Sequence, residues 1–153
     1  MNEKLDLLVI GAGACGMAAA IVAHDAGGAV AIVEKRATPG GNSSLSTGSI
    51  PGAGSRFQVA AGISDSPERM IDDLETTAGK HDADHLTALI ARECGRLCEW
   101  LIDDLGARME LITDYRHIGH SVERLHAPKS RRGQDLVDDL IAFVADRDIP
   151  LAV

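Results

Sequence analysis

The sequence predicts an α/β fold, a mostly parallel sheet flanked by helices, on three observations. Leu5, Leu7, Leu8, Val9 and Ile10 make a short apolar run of strand length; Gly11, Gly13 and Gly16, with small residues on to Ala20, follow at once; and a second apolar run closes on Glu34. Strands joined through a helix lie parallel, because only a crossover of that length returns the chain to the same end of the sheet. Residues 1–34 are therefore expected to form one strand, helix and strand unit, the first run reading as a buried parallel strand.

The remaining elements follow in order. Gly27 and Gly28 end the first helix, where a residue free to take positive φ closes the last turn. Residues 35–58 are rich in Gly, Ser, Pro and Asn and read as one long loop, and loops of that length inside compact domains are usually functional. Ser66 is a good N-cap with Pro67 at the first helical position, and Met70, Ile71 and Leu74 share a face. A longer helix over about Asp84 to Leu105 carries Leu86, Leu89, Ile90, Cys94, Leu97, Leu101, Ile102 and Leu105 at helical spacing, and Gly106 ends it. A short strand around Arg108 to Ile112, a polar loop from Thr113 to Arg132 and a helix with Leu136, Val137, Leu140, Ile141 and Val144 inward come next. Ile149 to Val153 begins another strand, and a chain ending there suggests truncation. Residues 66–153 are thus expected to hold helices, a polar loop and a returning helix and strand.

Composition excludes several classes. With 153 residues, 45% hydrophobic and 25% charged, the chain has the size and balance of an ordinary globular domain rather than a disordered or fibrous one. A net charge of −8 disfavours nucleic acid as a partner, the short cluster Lys129 to Arg132 being the local exception. The uncharged stretch Leu7 to Ala23 is too short and too glycine-punctuated for a membrane span, and its flank of Glu3, Lys4 and Asp6 lacks the positive bias of a signal peptide. Cys15, Cys94 and Cys98 form an odd set without a C-x-x-C pair, which fits a reducing, cytoplasmic compartment.

The glycines carry the chemistry. In G-x-G-x-x-G after a strand, Gly11 makes the sharp turn, Gly13 lets the backbone approach a pyrophosphate, and Gly16 with Ala20 removes bulk where the helix packs on the sheet. Ala12, Ala14 and Cys15 complete a turn whose N–H groups face the anion. Glu34, followed by Lys35, lies about twenty residues beyond the glycines, where a carboxylate accepts hydrogen bonds from both ribose hydroxyls and repels a 2′-phosphate. A small-molecule cofactor follows, and FAD and NAD both remain open. In the next segment Gly40, Gly41 and Gly48 expose backbone N–H groups, while Asn42, Ser43, Ser44, Ser46 and Thr47 add amide and hydroxyl partners suited to a ligand rich in phosphate and carbonyl acceptors.

The run Pro39-Gly40-Gly41-Asn42-Ser43-Ser44-Leu45-Ser46-Thr47-Gly48-Ser49-Ile50 resembles the flavoprotein subunits of the fumarate reductase and succinate dehydrogenase superfamily. It is most similar to the soluble branch with flavocytochrome c fumarate reductases and urocanate reductase. Gly119, Ser121, Val122, Arg124, His126 and Pro128 resemble a G-x-S-V-x-R-x-H-x-P stretch of the same branch. The resemblance implies a Rossmann-like FAD-binding fold whose Gly40 to Gly48 loop wraps the diphosphate and flavin. It implies noncovalent FAD, because the membrane-bound branch attaches flavin through a histidine at about the place of Asn42 and no histidine lies between Lys35 and Arg56. The parent chemistry it implies is hydride transfer between flavin N5 and a carbon–carbon bond beside a carbonyl or carboxylate. In that branch a capping domain carries the substrate-binding and proton-donating residues and a C-terminal segment completes the flavin site, so no catalytic residue is expected within this chain, and a second chain supplying those parts stays open as an alternative. The segment Lys129-Ser130-Arg131-Arg132 departs from the branch, which often has Thr and Gly there.

Other groupings point less far. Cys94 with Cys98 and His81 with His85 have helical spacing, but both cysteines fall on the apolar stripe and no metal is expected. Tyr115, His117, His120, Arg124 and His126 crowd one polar loop that either faces the flavin or is a solvated connection.

Overall fold

The computed structural model describes residues 4–79 and 83–153. Its chain divides into two compact units, one from residues up to Gly48 together with Ser130–Val153, the other Ser49–Lys129.

In the first unit, strands β1 (Leu7–Ile10), β2 (Val30–Val33) and β6 (Leu151–Ala152) form a parallel sheet in the order β1-β2-β6. Helix α1 (Ala14–Asp25) makes the crossover from β1 to β2, and its chain turns out at Gly27 with φ 91° as the glycine pair predicts. Met17, Ala20 and Ile21 of α1 are buried against it, while α6 (Gly133–Asp146) buries Leu136, Val137, Leu140 and Val144. The expectation of a buried first strand fails: Leu8 is 51% and Ile10 84% exposed. The strand pairs on one side only, so its composition is that of an interior parallel strand while its position is an edge.

The second unit is built on an antiparallel sheet, β3 (Ile50–Pro51), β5 (Leu125–Pro128) and β4 (Met109–Leu111), in the order β3-β5-β4. Short helix α3 (Arg56–Ala60), α4 (Pro67–Ala78) and α5 (Asp84–Glu99) surround it, α5 running on into a π-helical turn over Trp100–Asp104. The Ser66 hydroxyl accepts the Arg69 N–H and caps α4 as predicted, an arrangement worth about 1 kcal/mol.

Three sequence expectations are corrected here. The segment 35–58, expected as one long loop, holds a short helix α2 (Gly41–Leu45), strand β3 and the start of α3. The polar loop from Thr113 to Arg132 contains β5, every residue of which is buried. Helix α5 does not bury its large residues: Leu86, Leu89 and Ile90 are exposed, and the inward face is Ala91, Cys94, Gly95 and Cys98. Small residues win because α5 lies against backbone; a Cβ at Gly95 would stand 2.5 Å from the Ala53 carbonyl oxygen.

Buried polar groups close this second unit. The Arg124 guanidinium, fully buried, donates twice to Asp65 at 2.9 Å and once to Asp73 at 2.7 Å. His126 is also fully buried, with Nδ1 3.1 Å from the Arg124 carbonyl and Nε2 3.0 Å from the Ser55 hydroxyl. A carbonyl can only accept, so Nδ1 carries the proton and Nε2 accepts from Ser55, whose oxygen in turn caps α3 by accepting the Gln58 N–H. Burial holds the His126 pKa below its ordinary value. The unfolded chain therefore takes up a proton here before the native one does, so stability is full above about pH 6.5 and falls as pH drops below it. Thermal unfolding from pH 7 to pH 5 is expected to show a falling Tm whose slope flattens in His126→Phe; an unchanged slope in that variant refutes the assignment.

Candidate dinucleotide and flavin site

The site is assembled in the first unit where β1 meets α1. Gly11 takes φ 103° and donates its N–H to the Val33 carbonyl at 2.7 Å, so the chain leaves β1 and turns directly above β2. Gly13 is the N-cap of α1 with no side chain to cap it, and Ala14, Cys15 and Gly16 form the first turn. No acidic residue stands in that turn. Among the described residues the N–H groups of Cys15 and Gly16 have no backbone partner, which leaves the positive end of a helix open to an anion.

Gly16 is required by shape, for a reason closer to the turn than sequence reasoning supposed. A Cβ there would lie 2.0 Å from the Gly11 carbonyl oxygen and 3.2 Å from the Val9 side chain, so α1 packs on the turn as well as on the strand. At Gly13 such a Cβ would meet the Gly40 carbonyl oxygen and the Ser43 hydroxyl at 3.8 Å, ordinary contact, so the backbone here is less crowded than at Gly16.

Glu34 follows β2 and turns into this crevice. Its Oε2 accepts the Ala12 N–H at 2.8 Å and its Oε1 the Arg36 N–H at 2.9 Å. The Ala12 N–H first, and then the Arg36 N–H, hold its carboxyl below the usual glutamate range. It is therefore ionised at neutral pH. A cavity of 420 Å³ lies alongside, lined by Ile10, Gly11, Val33, Glu34 and Lys35.

The second glycine segment is bound to the first. The Gly40 N–H donates to the Ala12 carbonyl at 2.8 Å, Gly13 and Gly40 form a parallel bridge, and the Ala14 N–H donates to the Ser43 hydroxyl at 3.2 Å. Gly40 and Gly41 have φ 117° and 52°, and Gly48 has φ 67°. Ser44 and Ser46 turn their hydroxyls onto the segment itself: Ser44 donates to the Gly41 carbonyl, Ser46 donates to the Ser43 carbonyl and accepts the Gly48 N–H. These bonds stiffen the segment. Asn42 and Thr47 are exposed, as are Lys35 and Cys15. A second cavity of 270 Å³ is lined by residues that include Arg36, Pro39, Gly41 and Ser44.

Two residues of α6 stand behind this segment: Gly133, which sequence reasoning passed over, and Val137, which it placed only in the core. A glycine opening a helix directly after a basic cluster was the available signal. The polar-loop residues fall elsewhere: Arg124 and His126 are interior to the second unit, neither solvated nor open to a ligand, and Tyr115 and His117 are exposed. Cys94 and Cys98 lie on the buried face of α5, and burial raises the pKa of both thiols. His81 lies outside the described residues. Among the described residues no three His, Cys, Asp or Glu side chains converge as a metal-binding group, and no helix is long and apolar enough to cross a membrane.

A family model for an FAD binding domain matches residues 6–151. The chain belongs to this FAD-binding family. The match decides for FAD between the two dinucleotides that the glycines and Glu34 leave open. This FAD-binding domain is 36% identical over 151 residues to an NADH:fumarate oxidoreductase of Klebsiella pneumoniae, covering 96% of this chain and 16% of that protein. It is 34% identical over 138 residues to a urocanate reductase of Eggerthella lenta, covering 90% of this chain and 22% of that one. The open conformation of a flavocytochrome c3 fumarate reductase superposes with a TM-score of 0.85 at 31% identity, over 98% of this chain and 26% of that structure. The FAD-binding domain thus spans between 16% and 26% of the length of these relatives.

The residues fit FAD. A helix end whose Cys15 and Gly16 N–H groups have no backbone partner suits a diphosphate, and an ionised carboxylate at the mouth of a cavity suits a ribose.

Proposed function

We propose that this chain holds FAD noncovalently as the flavin-binding portion of a flavin-dependent oxidoreductase acting on a carbon–carbon bond beside a carbonyl or carboxylate. When bound, the flavin accepts or donates a hydride at N5. The chain's own residues bind and orient. Gly11, Ala12, Gly13, Ala14, Cys15 and Gly16 face the diphosphate, and Glu34 with Lys35 takes the adenosine ribose. Gly40, Gly41, Asn42, Ser43, Ser44, Ser46, Thr47 and Gly48 close over the diphosphate and flavin. The observation that carries this reading is the joining of the two glycine segments, Gly40 to Ala12 and Ser43 to Ala14, at the helix end beside Glu34. Three unpaired cysteines, Cys15 exposed among them, fit a cytoplasmic setting.

Titration of the purified chain with FAD, followed by quenching of flavin fluorescence, is expected to saturate and to leave a yellow protein that releases its flavin in acid. Glu34→Gln is expected to weaken FAD about tenfold, the loss of one charge-assisted ribose contact. A protein that stays colourless with added FAD refutes the reading.

The open edge of β1 supports a partner as well. Leu7 and Gly11 direct their N–H groups to β2, so by strand alternation Leu8 and Ile10 direct theirs to the unpaired side. An apolar parallel strand with such an edge suits pairing with a further strand, of the same polypeptide or of a second chain that carries the remaining parts of the enzyme. The chain assayed by itself is expected to give no turnover of an unsaturated acid.

A further inference from the structure

We infer that Gly133 is a positioning residue for the dinucleotide: its bare backbone sets where the Gly40–Ser46 segment stands, and hence where Ser43 meets the first N–H of α1. The inference rests on the FAD reading above. Gly133 is buried and opens α6, and its φ lies outside the left-handed region, so the position demands glycine for space rather than for conformation. A Cβ there would lie 2.0 Å from the Ser43 carbonyl oxygen and 2.8 Å from the Ser46 carbonyl oxygen. Both are backbone atoms, which cannot swing aside as the tip of a side chain can. The Gly133 N–H donates to the Ser46 carbonyl at 2.7 Å, so α6 touches the segment backbone to backbone.

One helical turn on, Val137 continues the contact. It is fully buried, and a Cβ at Gly40 would stand 3.0 Å from its methyl group. The first turn of α6 is therefore a rigid back to the segment whose front holds the Ala12 carbonyl through Gly40 and the Ala14 N–H through Ser43. A methyl group at 133 forces the Ser43 carbonyl to retreat by about 1.4 Å before ordinary contact is restored, and hydrogen bonds at the helix end do not survive a shift of that size.

The test compares Gly133→Ala with Gly95→Ala in the whole chain. The Gly95 substitution is nearly as tight, with its Cβ 2.5 Å from the Ala53 carbonyl oxygen, but lies in the other unit. Gly133→Ala is expected to weaken FAD binding about tenfold or more, and its Ser43 and Ser44 amides to exchange faster without FAD while Ile32 and Val33 keep their protection. Gly95→Ala is expected to lower Tm and leave FAD affinity within about twofold. Equal loss of FAD in both variants, or an unchanged affinity in Gly133→Ala, overturns the inference. Should Gly133→Ala fail to fold, Val137→Ile presses on the same segment more gently and is expected to weaken FAD severalfold; an unchanged affinity there overturns it too. Wild-type chain that binds no FAD would instead defeat the functional reading, so the two failures are distinct.

Discussion

Replacing Arg124 with methionine is expected to destabilise the chain by about 3–5 kcal/mol, the usual cost of removing one partner from a buried ion pair. The size comes from what is left behind. The Asp65 side chain is fully buried and loses two hydrogen bonds from the guanidinium, retaining the Gln58 amide and the Ser66 N–H. Asp73 loses the third, and with it part of what ties α4 to Ser121, whose N–H and hydroxyl both meet the same carboxylate. Burial opposes the charge of Asp73, yet the Ser121 N–H and Arg124 outweigh it and keep the carboxyl below the ordinary aspartate range. Arg124→Lys is expected to recover only a small part of the loss, because an ammonium cannot reproduce the two-pronged contact with Asp65. Denaturant unfolding monitored by circular dichroism measures both variants. A loss under about 1 kcal/mol for the methionine variant would mean that this network contributes little.

Gly16→Ala is expected to abolish FAD binding, weakening it by about a hundredfold or more, which corresponds to about 2.7 kcal/mol. The substituted Cβ would sit 2.0 Å from the Gly11 carbonyl oxygen, and the first turn of α1 can relieve that overlap only by lifting away from the turn. The N–H groups proposed to hold the diphosphate lift with it. Wild-type chain is expected to gain thermal stability with added FAD, as any protein does with a ligand that binds only the native state, and the variant to gain none. A Gly16→Ala protein that keeps its FAD affinity within about threefold refutes the proposed role of that turn.

The parts of the site that were legible in the sequence are those encoded by short spacing. Gly11, Gly13, Gly16 and Glu34 belong to one local unit, and the geometry of a strand, a turn and a helix start leaves little freedom in where they go. The Ser66 cap and the inward face of α6 were legible for the same reason. What misled was residue size and polarity. Leu86, Leu89 and Ile90 read as a core stripe, but α5 buries the small residues opposite, since only these permit contact with the backbone near Ala53. Arg124 and His126 read as loop residues because both are polar, whereas complete hydrogen bonding carries them into the interior.

By itself the sequence determined the βαβ unit, the glycine turn and the acid beyond it, because each depends on backbone conformations reached within a few residues. Only the tertiary structure decided that Gly40 and Ser43 close onto the end of α1, that Gly133 backs them from a helix ninety residues further on, and that β1 stands at an edge. Those are meetings of backbone with backbone across long stretches of chain, and a glycine or an apolar run carries no mark of which distant segment it will touch.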